Sequence, residues 1–214
     1  MNTTLTSQEA WSIIGGLSRP SKMPGFGYGL PAGACRTGSV LAQIQGTPCA
    51  SCYAFKGNYA FSTVKAAQYR RLRSIHHPQW AEAFITLLRK KRCKYFRWHD
   101  SGDIQSLTHL LNIFAIAYAL PEMHFWLPTQ ERGIISIAMK LGIPIPANLV
   151  IRVSAPKINI ESELSAFGLP TSPVRSDHAV TNSYRCPAPQ QGNACDSCRA
   201  CWSPSVKWVE YTAH

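Results

Sequence analysis

The chain has 214 residues, enough for one domain of roughly 100–200 residues plus a small appendage, and its 45% hydrophobic and 15% charged content excludes a disordered chain. Its net charge is +11, from 22 Lys and Arg against 11 Asp and Glu, which favours polyanions over cationic partners. No apolar run reaches the ~18–20 residues a membrane span needs, since the richest, Leu107 to Leu120, is broken by Thr108, His109 and Asn112. The start of the chain has neither a basic stretch nor an apolar signal core, so a cytoplasmic protein with no membrane partner is expected.

Taken in order, Thr6-Ser7-Gln8-Glu9 forms a capping box, and a short helix runs from it through Trp11 to Ile14, stopping at Gly15-Gly16. From Ser18 to Thr47 the chain is rich in Gly and Pro and without periodicity, so it reads as loop with one short strand; a loop this long is functional or anchored. Ser62 is expected to cap a helix through Arg73. Pro78 opens another, in which Trp80, Phe84, Leu87 and Leu88 share one core-facing side. Lys94 to His99 reads as a strand ending in Asp100-Ser101-Gly102-Asp103, and a helix follows from Ser106 to Ala119. Then come a strand Met123 to Pro128, a helix Arg132 to Leu141 stopped by Gly142, and a strand Asn148 to Ser154. A helix around Ile160 to Phe167 closes at Gly168, and Ala179-Val180 belong to a short last strand.

This alternation predicts an α/β fold of parallel βαβ units over residues 1–180, with a cysteine-rich extension, 181–214, packed on it. In such sheets functional residues collect at the carboxyl ends of strands. Those ends carry Asp100-Ser101-Gly102-Asp103, Thr129-Gln130-Glu131 and Ser154.

Seven of the eight cysteines fall in two sets: Cys35, Cys49 and Cys52 near the start, and Cys186, Cys195, Cys198 and Cys201 near the end. Two residues between cysteines let the backbone fold around one metal, and the CxxCxxC run does so twice, with Cys186 as a fourth thiolate. Disulfides are disfavoured in a cytosolic protein, which leaves metal binding for both sets. Lone Cys93 reads as a small buried hydrophobe. Thiolate-only ligation suits zinc as well as iron–sulfur clusters. Zinc would pair Cys49 and Cys52 with Cys198 and Cys201. The CxxCxxC run with a remote Cys186-Pro187 instead matches ferredoxin-like 4Fe-4S ligation, in one cluster or two. A separate reading joins His99, Asp100 and Asp103, with Glu131, into an acid–base or divalent-metal site. Between Lys56 and Arg97 lie eleven basic residues and a single acid, Glu82, so DNA or RNA is an expected partner of region 56–97.

Cys49-Ala50-Ser51-Cys52-Tyr53-Ala54, followed by polar strand ends, resembles the radical S-adenosylmethionine superfamily. That resemblance implies a partial parallel (β/α) barrel in which three cysteines after the first strand hold a 4Fe-4S cluster. The cluster's fourth iron is open to S-adenosylmethionine. It also implies that Ser101-Gly102-Asp103 meets the cofactor's amino group and that Arg152 and Ser154, in Ile151-Arg152-Val153-Ser154, touch the cofactor. The order holds over residues 25–156, although thirteen residues separate Cys35 from Cys49 where the superfamily has three. The whole chain more closely resembles the phage gene-product-eighty-eight family, through CxxCYA, Arg97-Trp98-His99-Asp100-Ser101-Gly102-Asp103, the Cys186-Pro187-Ala188 triplet and the final CxxCxxCW. A phage origin implies the host cytoplasm.

Three functions compete: a radical S-adenosylmethionine-type enzyme, a metal-dependent nuclease with a structural cluster, and a non-catalytic iron–sulfur redox or sensor protein.

Overall fold

A strand followed by a helix returns to its starting end before the next strand begins, so βαβ connections yield parallel neighbours. The computed structural model, which describes residues 5–160, 168–177 and 182–213, has this arrangement. Strands β1 (Phe26–Tyr28), β2 (Tyr95–Trp98), β3 (His124–Thr129), β4 (Leu149–Ser154) and β5 (Thr171–Ser172) form a parallel sheet in consecutive order. The fold is therefore mixed α/β around a five-stranded parallel sheet. Among the described residues β1 and β5 are not paired with each other, so the sheet is open and barrel closure is not shown.

The helices are α1 (Ser7–Ile14), α2 (Arg36–Leu41), α3 (Ser62–Ser74), α4 (Trp80–Lys91), α5 (Leu107–Ala119) and α6 (Arg132–Lys140). The capping box of α1 forms as expected: Glu9 N–H donates to Thr6 Oγ1 at 3.2 Å, and Thr6 N–H donates to Glu9 Oε2 at 2.8 Å. Ser62 does not cap α3, because the helix begins one residue earlier and Phe61 takes the cap position with no side-chain bond. The expected loop 18–47 contains α2, which at six residues is too short to show a hydrophobic period. The helix expected over 160–167 falls almost wholly, and the strand expected at 179–180 falls wholly, outside the described residues. No helix among the described residues is long and apolar enough to cross a membrane.

Alternation along the strands gives the sheet two unlike faces. Tyr28, Phe96, Trp98, Phe125, Leu127, Leu149 and Ile151 join Trp80, Phe84 and Leu110 in the main core. The opposite face carries Arg97, Trp126, Pro128, Arg152 and Ser154, and the cysteine-rich segment covers part of it through Ala200, Cys201 and Trp202. That segment is fixed by a second parallel sheet in which β8 (Val209–Thr212) lies between β6 (Val174–Arg175) and β7 (Tyr184–Arg185). A bridge from Thr171 to Trp208 joins it to β5.

The turn after β2 requires glycine at one position. Gly102 has φ +75°, and a Cβ there would stand 2.6 Å from Leu30 Cβ and 2.8 Å from Leu30 O. Gly102→Ala is expected to destabilise the fold by about 2–4 kcal/mol, the sum of left-handed strain and overpacking. Urea unfolding of the two proteins checks this, and an unchanged midpoint would contradict it.

Candidate functional site

The carboxyl ends of β2, β3 and β4 open into one cavity of about 360 Å³. Ser101, Gly102, Asp103, Thr129, Gln130 and Ser154 line it, and so do Cys35, Cys49 and Cys52. The first cysteine set and the polar strand ends, distant in sequence, thus share one enclosure. Trp126, Ser172 and Tyr211 also line it. Alternation along β3 places Trp126 opposite Phe125 and Leu127, a signal available in the sequence; Ser172 and Tyr211 had none.

Each cysteine is placed by a local device. Cys35 takes the cap position of α2, whose second residue, Thr37, donates through its N–H and Oγ1 to the buried Glu131 carboxylate at 2.9 and 2.8 Å. Glu131 is therefore an anchor that fixes the Cys35 loop to the end of β3. Thr47 Oγ1 accepts from Ala50 N–H at 3.2 Å and starts the 3-10 turn Pro48–Ser51 that carries Cys49. Gly38 leaves space between the thiols: a Cβ there would lie 2.9 Å from Cys35 Cβ, 3.6 Å from Cys35 Sγ and 3.8 Å from Cys49 Sγ.

Burial, then the nearby Asp103, push the Cys35 thiol well up, and Cys52, Cys49 and Glu131 add to the effect. Burial pushes Cys49 up to about 11, with Cys52 and Asp103 next. Thiols in acidic, desolvated surroundings stay protonated unless a cation compensates them. Asp103 accepts from Thr129 Oγ1 at 2.7 Å, Gln130 N–H at 2.8 Å and Ile104 N–H at 2.7 Å. Burial nevertheless pushes it up to about 7. A carboxylate offers about four acceptor sites, so one remains for a donor in the cavity.

Among the described residues, five on the cavity wall carry a buried polar atom without a hydrogen-bond partner: Arg97 Nε, His99 Nε2, Trp126 Nε1, Gln130 Oε1 and Ser172 Oγ. Each such atom costs about 1–3 kcal/mol.

The second cysteine set lies against the same region of the sheet. Tyr184 OH stands 3.3 Å from Cys198 Sγ, and Tyr211 OH, on the cavity wall, 3.0 Å from Cys201 Sγ. Burial raises Cys186 and Cys195, and raises Cys201 to about 11. The thiols that act on each cysteine come from its own set: Cys49 and Cys52 on Cys35, Cys198 on Cys186, Cys186 and Cys198 on Cys195. Cys93 packs partly buried at the edge of the main core.

Arg152 is not on the cavity wall. Its fully buried guanidinium donates through Nε to Cys201 O at 3.1 Å, and through Nη2 to Ala200 O and Val206 O at 2.8 Å and Ser203 O at 3.0 Å. It holds the cysteine-rich segment to β4, and Ser154 is left as the cavity residue of that strand.

Of the acid–base set expected from His99, Asp100, Asp103 and Glu131, His99 and Asp103 line the cavity and Asp100 and Glu131 do not. His99, at φ +58°, uses Nδ1 with Tyr28 O at 3.0 Å, and burial lowers its pKa to about 4. Asp100 accepts from Ser18 Oγ at 2.7 Å and Tyr59 OH at 3.2 Å. Among the described residues no group of three or more His, Cys, Asp or Glu side chains is placed to hold a metal ion.

Arg152→Met is expected to release the 200–206 segment, with faster amide hydrogen exchange there and a loss of about 2–4 kcal/mol, charged hydrogen bonds being partly offset by recovered desolvation. Unchanged protection of Ala200 to Val206 would contradict this clamp.

No curated protein and no solved structure matches the chain with significance. A profile of the family described as gene product 88 matches residues 2–204. With nearly the whole chain covered, the protein belongs to the gene product 88 family, a phage-type family.

Proposed function

We propose that the protein is an iron–sulfur protein whose cavity binds S-adenosylmethionine beside a 4Fe-4S cluster, in the manner of radical S-adenosylmethionine enzymes. The observation that carries this reading is the meeting of Cys35, Cys49 and Cys52 with the polar ends of β2, β3 and β4 around one cavity of about 360 Å³. That volume falls within the ~300–1,000 Å³ usual for small-ligand sites. An open sheet of consecutive parallel strands is also compatible with an arc of a (β/α) barrel.

Thiolate-only ligation suits zinc and iron–sulfur clusters alike. The CxxCxxC run with the remote Cys186-Pro187 favours a cluster by its spacing, while among the described residues no group of three or more His, Cys, Asp or Glu side chains is placed to hold a metal ion. When bound, such a cluster supplies a low-potential electron and, with three cysteines for four irons, one open coordination position. The protein's own part is to hold the guest. Asp103 offers its remaining acceptor site to an ammonium group, Ser101 and Gly102 bring the wall close, and Ser154, Gln130 and Ser172 supply polar contacts. Arg97 and the buried Arg152 place positive charge near Cys201 and favour a thiolate-rich centre there, with Cys186, Cys195, Cys198 and Cys201 as ligands of a second cluster. That second centre also suits an electron carrier or sensor. The nuclease reading is weaker, because Asp100 and Glu131 do not line the cavity that His99 and Asp103 face. The basic region 56–97 adds a polyanion, DNA or RNA, as partner.

The test is anaerobic reconstitution followed by paramagnetic resonance of the reduced protein with and without S-adenosylmethionine. The expected result is a changed cluster signal and release of 5′-deoxyadenosine. Asp103→Asn should weaken cofactor binding by about tenfold or more, the worth of one charge-assisted hydrogen bond. A reconstituted protein that neither binds nor cleaves the cofactor would overturn the reading.

A further inference from the structure

Helix α3 has an inner face tied to the cavity and an outer face with no partner in the described fold. On the inner face, Gln68 Nε2 donates to Ser101 Oγ at 2.8 Å, and Arg71 Nη1 donates to Gly29 O at 3.1 Å. On the outer face Phe61, Lys65, Tyr69 and Arg73 recur every fourth residue, and all four are exposed, Phe61 by 60% and Tyr69 by 50%. Within the helix Lys65, Tyr69 and Arg73 lie on one side, about 6 Å apart along its axis, and Phe61 precedes them at the cap position. The stripe thus alternates aromatic, cation, aromatic, cation. Exposed Phe55 and Lys56 precede it, and Tyr53, on the cavity wall, packs against Tyr59 with ring centroids 5.7 Å apart. Exposed aromatic and basic side chains therefore recur along the chain from Tyr53, on the cavity wall, to the end of α3.

A purely solubilising helix face mixes both signs of charge and avoids large exposed rings. Here no Asp or Glu occurs from Lys56 to Arg73. The pattern matches what an unpaired polynucleotide offers, flat π faces alternating with phosphates. A duplex hides its base faces at a 3.4 Å spacing and leaves the rings unused.

We propose that α3 is a track for single-stranded nucleic acid, with bases stacked on Phe61 and Tyr69, phosphates on Lys65 and Arg73, and the strand led past Phe55 and Tyr53 to the cavity. This deepens the reading of the cavity by naming its substrate class as a nucleotide within a single strand. It rests on that reading for the chemistry alone, since the stripe needs no cluster to bind. The contacts, base faces and phosphate charge, are common to DNA and RNA.

Fluorescence anisotropy of the full chain with labelled oligothymidine and oligouridine strands of about twelve nucleotides, within the ~4–16 a single-strand site covers, tests the track. Binding should weaken with salt at about −0.7 log units per phosphate contact. Phe61→Ala with Tyr69→Ala should weaken binding at least tenfold and leave the salt slope unchanged. Lys65→Gln with Arg73→Gln should make the slope shallower by about 1.4. Phe55→Ala gives a second, independent loss, and matched melting curves show that each variant folds. A duplex bound as tightly as the strand, aromatic variants with full affinity, or preference for anionic phosphatidylglycerol vesicles would overturn the proposal. Loss of strand binding in a protein that still binds S-adenosylmethionine would overturn this surface alone. Strand binding in a protein that fails to bind the cofactor would uphold it.

Discussion

A guanidinium with no exposed surface, set in the fourth strand of a parallel sheet, must find acceptors inside the protein or lose its solvation uncompensated. Through Nε and Nη2 Arg152 finds four carbonyls, all between Ala200 and Val206, while Nη1 has no partner among the described residues. The rest of the arrangement follows. The cysteine-rich segment is held against the sheet face opposite the helices, Trp202 donates to Phe96 O and packs on Trp126, and Tyr211 reaches the cavity wall beside Cys201. This buried charge, together with the Trp202 bond and the second sheet, keeps two cysteine sets, far apart in the chain, on the same side of one sheet.

The two sets differ in how they are held. The N-terminal three depend on the sheet: Glu131 at the end of β3 anchors the helix that starts at Cys35, and the turn carrying Cys49 is closed locally by Thr47. The C-terminal four sit in a run stabilised by its own turns and by β8 between its neighbours. The first set thus opens onto a cavity lined by polar strand ends, and the second lies in a run of its own that Arg152 ties to the sheet. Tyr211 meets Cys201 Sγ and lines the cavity that the first set also lines.

Much of the fold was legible because its long elements have a clean period. Trp80, Phe84, Leu87 and Leu88 announced α4, and the strand–helix alternation announced a parallel sheet. Helix α2 was not legible, since six residues with a central glycine show no period. Within the site, local spacing identified both cysteine sets, and the strand ends carried the polar residues that line the cavity. Which face a strand residue serves was harder to read. The family resemblance of Ile151-Arg152-Val153-Ser154 points Arg152 to a cofactor, whereas its carbonyl partners lie some fifty residues away in the chain, where no local pattern announces them. The unpartnered atoms of Arg97, His99 and Trp126 exist only in three dimensions. So does the exposed stripe on α3, whose sequence shows charge and aromatics but not which of them are left uncovered.

The central claim is that this fold carries two separate iron–sulfur centres, one open and one closed. Iron and acid-labile sulfide counts on the anaerobically reconstituted chain test it most directly, beside two variants, Cys49→Ser with Cys52→Ser and Cys198→Ser with Cys201→Ser. The account predicts roughly eight irons and eight sulfides for the parent, as two 4Fe-4S centres require, and about half of each in either variant. About one zinc without sulfide, or a single four-iron centre lost from both variants alike, would contradict it.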